Sequence, residues 1–268
     1  MKKSVFFLAH YDDEFGIYQE IKDHVIKNMP LHIIYTTSAS KDGKGNPKRE
    51  NESKIALKKL GVNIEKDISF VGKDLFIPDL QLKNNFIPIF KELDKILSNL
   101  GEINKIYTLS YEGGHPDHDG INFICSRLVQ KYNIENKAWV FPLYSGPGLF
   151  GSFFYLFRPL SSNGEVIRKK ISWRNSLKFC WLMLGYKSQV KTLIGLFPFY
   201  VFHMIFKRSQ ILQKLNIERV KERPHAGKLL YERRNMDDYE KIRNKMNVFD
   251  SWYYSLLSKN NIKVNPQK

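Results

Sequence analysis

Ser4-Val5-Phe6-Phe7-Leu8-Ala9-His10-Tyr11-Asp12-Asp13-Glu14 is the stretch that decides how this chain is read. An apolar run rich in aromatic and β-branched residues reads as a strand, and it ends abruptly in one imidazole and three carboxylates. The arrangement recurs further along. Lys105–Leu109 is again strand-like, and Gly114-His115-Pro116-Asp117-His118-Asp119 follows it. Together the two clusters supply two or three imidazoles and several carboxylates. A catalytic zinc site needs three protein ligands of these types and a fourth position left for water.

Working outward, strand and helix signals alternate through residues 1–140. Leu31–Thr37, Ile68–Val71 and Ala138–Phe141 are further short strand-like runs. Between them Glu14–Asn28, Lys48–Leu60, Asn84–Leu100 and Asp119–Tyr132 carry helical spacing, with Gly61 where a C-cap glycine belongs. Such alternation predicts an α/β fold of Rossmann-like, three-layer type, with a mostly parallel sheet covered on both faces. Ligands of these folds bind beyond the carboxyl ends of the strands, where both polar clusters fall. The turn-rich Ser40–Arg49 loop contains Gly43-Lys44-Gly45 but lacks the spacing of a phosphate-binding loop.

With 268 residues, 43% of them apolar and 14% aromatic, the chain can build a full core, which excludes wholesale disorder. Two cysteines, Cys125 and Cys180, have no CxxC partner, so two free thiols in a reducing compartment are expected. The N-terminal apolar run is broken by His10 before it reaches signal-peptide length, and no stretch of about 20 apolar residues is expected to span a membrane. Tyr144–Ser152, rich in Gly and Pro, marks a boundary between a core (1–150) and a mainly helical, aromatic-rich extension (151–268). The +16 net charge is uneven. Residues 1–150 carry 20 Lys+Arg against 19 Asp+Glu, whereas residues 151–268 carry 23 against 8. That polycationic tail implies an anionic partner surface.

Each cluster alone is explained by local structure, with Asp12 or Asp13 capping a helix and Pro116 opening one. Two such clusters at strand ends of one sheet favour a metal centre. The Ala9-His10-Tyr11-Asp12-Asp13-Glu14 segment resembles the A-H-P-D-D-E signature of the PIG-L/LmbE family of zinc-dependent N-acetylglucosamine deacetylases, and His115-Pro116-Asp117-His118 resembles its second motif. Arg49-x-x-Glu52-x-x-x-Ala56-x-x-x-Leu60-Gly61 and Phe70-Val71-Gly72-x-Asp74 are similar to the intervening segments. Fainter likeness returns at Tyr186-x-Ser188-Gln189 and across Arg223–Glu232. Tyr11 replaces the usual proline, which is expected to loosen the turn or place a hydroxyl near the pocket mouth.

The resemblance implies that His10, Asp13 and His118 hold Zn2+, a set that would also serve another divalent ion such as Fe2+. It further implies that Asp12 is the general base and that imidazolium His115 stabilises the oxyanion or protonates the leaving amine. Asp117 would orient a histidine from behind, and Arg49 would clamp a substrate hydroxyl or phosphate. The implied reaction is removal of an N-acetyl group from an N-acetylglucosamine-type glycoconjugate, with a lipid-linked or surface-polysaccharide precursor among the candidates. The expected location is the cytoplasm, and the basic, apolar extension also suits peripheral contact with anionic membrane at its inner face. The alternative is a non-catalytic protein that uses the basic tail to bind nucleic acid or anionic membrane. No nucleic-acid module is recognisable, so a nucleic-acid partner is not expected.

Overall fold

In the computed structural model, which describes residues 2–259, Val5–Leu8 are fully buried. A strand apolar at every position must be covered on both faces, so it belongs in the middle of a sheet. Strand β1 (Lys3–Leu8) lies there, paired with β2 (Leu31–Tyr35) on one side and β4 (Ile103–Leu109) on the other. Beyond β2 lies β3 (Ile68–Ser69), and beyond β4 lies β5 (Ala138–Phe141), all parallel. A short hairpin, β6 (Tyr144–Ser145) and β7 (Tyr155–Leu156), follows. The chain then adds β8 (Val166–Lys170) and β9 (Ser209–Lys214) to the same sheet. β9 runs antiparallel to β5 and β8 antiparallel to β9, giving the order β3-β2-β1-β4-β5-β9-β8. Both strands are absent from the sequence-based expectation. Their polar residues mask the apolar alternation, and the lysines of β8 guard an exposed sheet edge.

Helices α1 (Tyr18–Ile26), α2 (Pro47–Leu60), α3 (Val71–Asp74), α4 (Phe86–Leu100) and α5 (Pro116–Tyr132) connect the parallel strands. Their ends follow from local chemistry. Asn46 caps α2 by accepting the Arg49 N–H at 3.2 Å, Pro47 occupies its first turn, and Gly61 closes it at φ 99°. α4 buries Phe86, Ile89, Phe90, Leu93 and Leu97 along one stripe. The expected helix from Glu14 starts later, at Tyr18, after a 3-10 turn over Asp13–Gly16. Asp13 turns its carboxylate back onto the N–H groups of Ala9 (3.0 Å) and His10 (2.7 Å), which tightens the chain leaving β1.

The last third supplies α6 (Trp173–Met183), α7 (Val190–Phe202), α8 (Leu230–Arg233) and α9 (Tyr239–Lys259). α9 lays Met246, Phe249 and Tyr253 against the core, and its Asp250 takes both ends of the buried Arg127 guanidinium at 2.6 and 2.8 Å. Lys187–Lys207 is a helical stretch long and apolar enough, by length and composition alone, to cross a membrane. The 3-10 turn before α7 and the π turn after it (His203–Lys207) extend the helix beyond its most apolar residues.

After β1 the chain builds outward to β2 and β3, then returns to place β4 on the other flank of β1. The crossovers leaving β1 and β4 therefore diverge, and a crevice opens between the carboxyl ends of these two strands. His10, Asp12 and Asp13 follow β1, and His115, Asp117 and His118 follow β4.

Candidate functional site

The two clusters meet. His10 Nδ1 lies 3.2 Å from His118 Nε2, His118 Nε2 lies 3.1 Å from Asp13 Oδ1, and His10 Nδ1 lies 3.5 Å from Asp13 Oδ2. Ligand atoms at tetrahedral zinc, bonded at about 2.0–2.1 Å, are about 3.3 Å apart. The histidine–histidine separation is close to that edge length, and Asp13 turns one carboxylate oxygen toward each histidine, so the donor types and their spacing fit a divalent metal ion. A second combination, His10, His115 and His118, offers ring nitrogens within 4.8 Å of one another. In that combination the Nδ1 of His115 is already engaged, accepting the Asp117 N–H at 3.2 Å.

Local electrostatics favour positive charge at this point. Burial disfavours a charged His10, yet Asp13 and Asp117 outweigh it and raise its affinity for a proton well above that of an ordinary imidazole. For Asp13, burial pushes upward, but His118 and His10 prevail and hold the carboxyl well below the usual range. Asp117 touches His10 from behind, with Oδ2 3.1 Å from Nε2, and is itself fixed by the N–H groups of Leu80 (2.7 Å) and Leu82 (3.2 Å).

Asp12 faces the cleft in a backbone conformation that L-residues avoid, at φ 141° and ψ −19°. Strain of this kind costs of order 1–3 kcal/mol and collects at functional sites. Its N–H donates to Glu14 Oε2 at 3.0 Å, and Arg49 holds its carboxylate at 3.1 Å. Burial pushes the Asp12 carboxyl up to about 7, with Arg49 pulling the other way. Burial, with His10 and His118 adding to it, holds His115 well below an ordinary imidazole. The expectation of an imidazolium is thereby corrected. A neutral ring whose Nδ1 accepts a hydrogen bond carries its proton on Nε2, so it remains a donor without the charge.

Tyr11 also departs from expectation. It is fully buried, edge-on to Tyr35 and Phe70 at 5.1 Å each, and its hydroxyl reaches no pocket mouth. Arg49 lines the cleft, but its guanidinium is directed to Asp12, to Asp79 Oδ2 at 3.2 Å and to the Tyr11 carbonyl at 3.3 Å. Asp79, which the motifs did not single out, joins the site through this bridge and also accepts the Thr37 hydroxyl at 3.0 Å. The cleft holds about 220 Å³, enough for a compact group such as one sugar ring with its acyl substituent.

The PIG-L family model, described as GlcNAc-PI de-N-acetylase, matches residues 5–129, which contain every residue of this polar centre. Residues 5–129 are a PIG-L family domain. Solved structures with the same fold include a triple mutant of the teicoplanin-pathway deacetylase Orf2 (TM-score 0.61, 13% identity, 80% of this chain and 98% of that one). The zinc-inhibited form of teicoplanin deacetylase Orf2 superposes with a TM-score of 0.59 at 10% identity over 79% and 97% of the two chains. N,N'-diacetylchitobiose deacetylase from Pyrococcus horikoshii does so with a TM-score of 0.54 at 18% identity over 80% and 83%. At these identities the likeness is one of fold. No curated protein matches the chain.

The PIG-L domain does not enclose the cleft alone. Met183, Tyr186, Gln189, Leu193 and Leu196 come from α6, α7 and the turn between them, and Arg234 and Met236 from the segment after α8. Buried contacts tie these walls down. Tyr186 donates to Glu14 Oε1 at 2.7 Å, the Ser188 N–H donates to Glu52 Oε1 at 2.9 Å, and the Leu230 N–H donates to the Gly113 carbonyl at 2.9 Å. The faint likenesses around Tyr186–Gln189 and Arg223–Glu232 thus fall on segments that grip the two motif loops. Leu229 packs so closely on Gly113 that a Cβ there would lie 2.7 Å from it, and φ at Gly113 is +72°.

Proposed function

We propose that the protein is a zinc-dependent hydrolase that removes the acetyl group from the amino nitrogen of an N-acetylglucosamine-type conjugate. The observation that carries the proposal is the convergence of His10 Nδ1, His118 Nε2 and the Asp13 carboxylate, each within 3.5 Å of the next, with Asp12 beside them at the cleft wall. The family match supports an amide-cleaving reaction. The N-acetyl sugar named for the chitobiose deacetylase of the same fold supports the substrate class.

His10, Asp13 and His118 would hold the ion, with Asp117 fixing the His10 ring. When bound, zinc supplies a Lewis acid that acidifies water and polarises the amide carbonyl. Asp12, perched near neutrality by burial, takes the proton of the attacking water. The Nε2–H of His115 donates to the oxygen that gains charge as the carbonyl carbon becomes tetrahedral. Collapse breaks the carbon–nitrogen bond, and the proton held by Asp12 passes to the departing amine. The products are acetate and a free amino sugar, and water is the only co-reactant. Arg49 keeps the Asp12 carboxylate aimed at the cleft and ionised.

The test is acetate release from a panel of N-acetylglucosamine conjugates by the metal-loaded enzyme. Asp12→Asn is expected to keep its bound metal and to lose roughly 10²- to 10⁴-fold in turnover, the usual reach of a general base. Near-normal turnover in that variant would remove Asp12 from the role.

A further inference from the structure

α6 and α7 pack only part of their surface on the core. Leu196 and Tyr200 of α7 and Phe179 and Leu182 of α6 are buried, while Leu177, Trp181, Ile194, Phe199, Phe202 and Phe206 are each more than half exposed. Ile194 is 73% exposed and Phe206 is 70% exposed. Phe199, Phe202 and Phe206 recur at helical spacing, so they form a ridge rather than scattered apolar positions.

This ridge ends beside a basin of about 620 Å³ lined by Arg158, Arg168, Lys170, Lys207 and Arg208. No carboxylate lines the basin. Among the described residues, none of the five cations is in an ion pair. Arg208 lies over the half-exposed ring of Trp173 at 4.2 Å, which joins the basin to the start of α6. An apolar ridge flanked by unpaired cations is the pattern of an element that lies in the headgroup region, with its side chains in the acyl boundary and its charges at phosphate level.

We propose that the α6–α7 face docks the protein on an anionic phospholipid bilayer, with the basin of five cations seated on lipid phosphates. The cations call for an anionic occupant, and the exposed aliphatic Leu177 and Ile194 on the same face select a bilayer, because acyl chains reward their burial and nucleic-acid bases do not. The helix lies on the bilayer and does not cross it. Ser209 lies two residues past the end of the helix and pairs with Lys170 in the sheet, so a crossing would strip β9 out of the fold. Leu193 and Leu196 of α7 line the cleft, so the docked face and the cleft share one helix. Docking itself is independent of the deacetylase reading.

The experiment is co-sedimentation of the whole chain with phosphatidylcholine vesicles, with and without about one-third phosphatidylglycerol. Wild type is expected to bind the anionic vesicles and to be partly released by salt. Ile194→Glu with Phe202→Glu is expected to lower the partition coefficient by about tenfold or more. Lys207→Gln with Arg208→Gln is expected to lower it about fivefold per cation on anionic vesicles and hardly at all on neutral ones. Ile194, Phe202 and Lys207 are exposed and Arg208 is half-buried, and unchanged melting temperatures verify folding without any enzymatic readout. Absence of vesicle binding, or equal binding by wild type and both double variants, overturns the proposal. So does salt-sensitive RNA or DNA binding without vesicle binding. Self-association that depends on Ile194 and Phe202, again without vesicle binding, would assign the face to a second copy of the chain and also overturn it.

Discussion

Replacing Arg49 by Met keeps the apolar stem of the side chain and removes the charge together with its hydrogen bonds to Asp12, Asp79 and the Tyr11 carbonyl. In the native site the guanidinium sits 3.1 Å from Asp12 and 3.2 Å from Asp79, and its side chain is only 11% exposed. Burial raises the Asp12 carboxyl to about 7 while this cation opposes the rise. An adjacent opposite charge is worth about 1–3 pK units. Without it, the acid limb of the kcat/KM profile should move upward by about 1–2 units. The sign follows from the role: a base works when ionised, so the variant loses about 10- to 100-fold in rate below the limb and little above it. Any cation held by His10, Asp13 and His118 acts on Asp12 in variant and wild type alike, so the displacement between profiles is the quantity compared. Arg49→Lys, which keeps a charge but not the two-pronged geometry, should restore part of the shift. The assay is acetate release across the pH range. Superimposable acid limbs in all three proteins, with only KM raised by Arg49→Met, would refute the reasoning and make Arg49 a substrate clamp.

Asp117→Asn should weaken metal binding by about 10- to 100-fold while leaving the ligands in place, read by chelator competition. Unchanged affinity would show that the 3.1 Å contact with His10 does not tune the site. Glu112 is buried, and burial pushes its carboxyl up to about 8, with the Leu143 and Tyr144 N–H groups opposing. Because the folded value lies above the unfolded one, its contribution to stability is complete below about pH 4.5. It is lost by about 1.4 kcal/mol per pH unit as the pH climbs toward 8. Glu112→Gln should therefore flatten the fall of Tm between about pH 6 and 8, and an unaltered slope would contradict this. Gly72→Ala should destabilise by about 1–3 kcal/mol or more, because the added Cβ would lie 2.3 Å from the backbone of Thr37, which cannot swing aside. A melting temperature within error of wild type would show that α3 yields.

Much of this was legible in the chain, because strand and helix are local. Ser4–Leu8 read as a strand from its aromatic and β-branched residues, and Gly61 marked the end of α2 by cap chemistry that needs no tertiary context. The alternation put both polar clusters at the carboxyl edge of a parallel sheet, but that β1 and β4 are neighbours, so that His10, Asp13 and His118 meet, is settled only by the strand order. β8 and β9 were hidden, since an antiparallel edge built from Arg, Lys and Gln has no apolar signature. The same is true of Asp79, which belongs to the site only because Arg49 bridges it to Asp12.

By itself, then, the sequence determined the parallel core, the residue types of the two polar clusters and the uneven charge, because each is written in composition and short-range pattern. Tertiary structure alone decided the protonation of Asp12 and His115, which depends on burial and on neighbours brought from distant segments. It also removed Tyr11 from the pocket into the core and closed the cleft with α6, α7 and Arg234. Most consequentially, it left one face of α7 uncovered. Whether an apolar helix is core or surface depends on what packs against it, and only the folded chain shows that nothing in residues 2–259 covers Ile194, Phe202 and Phe206.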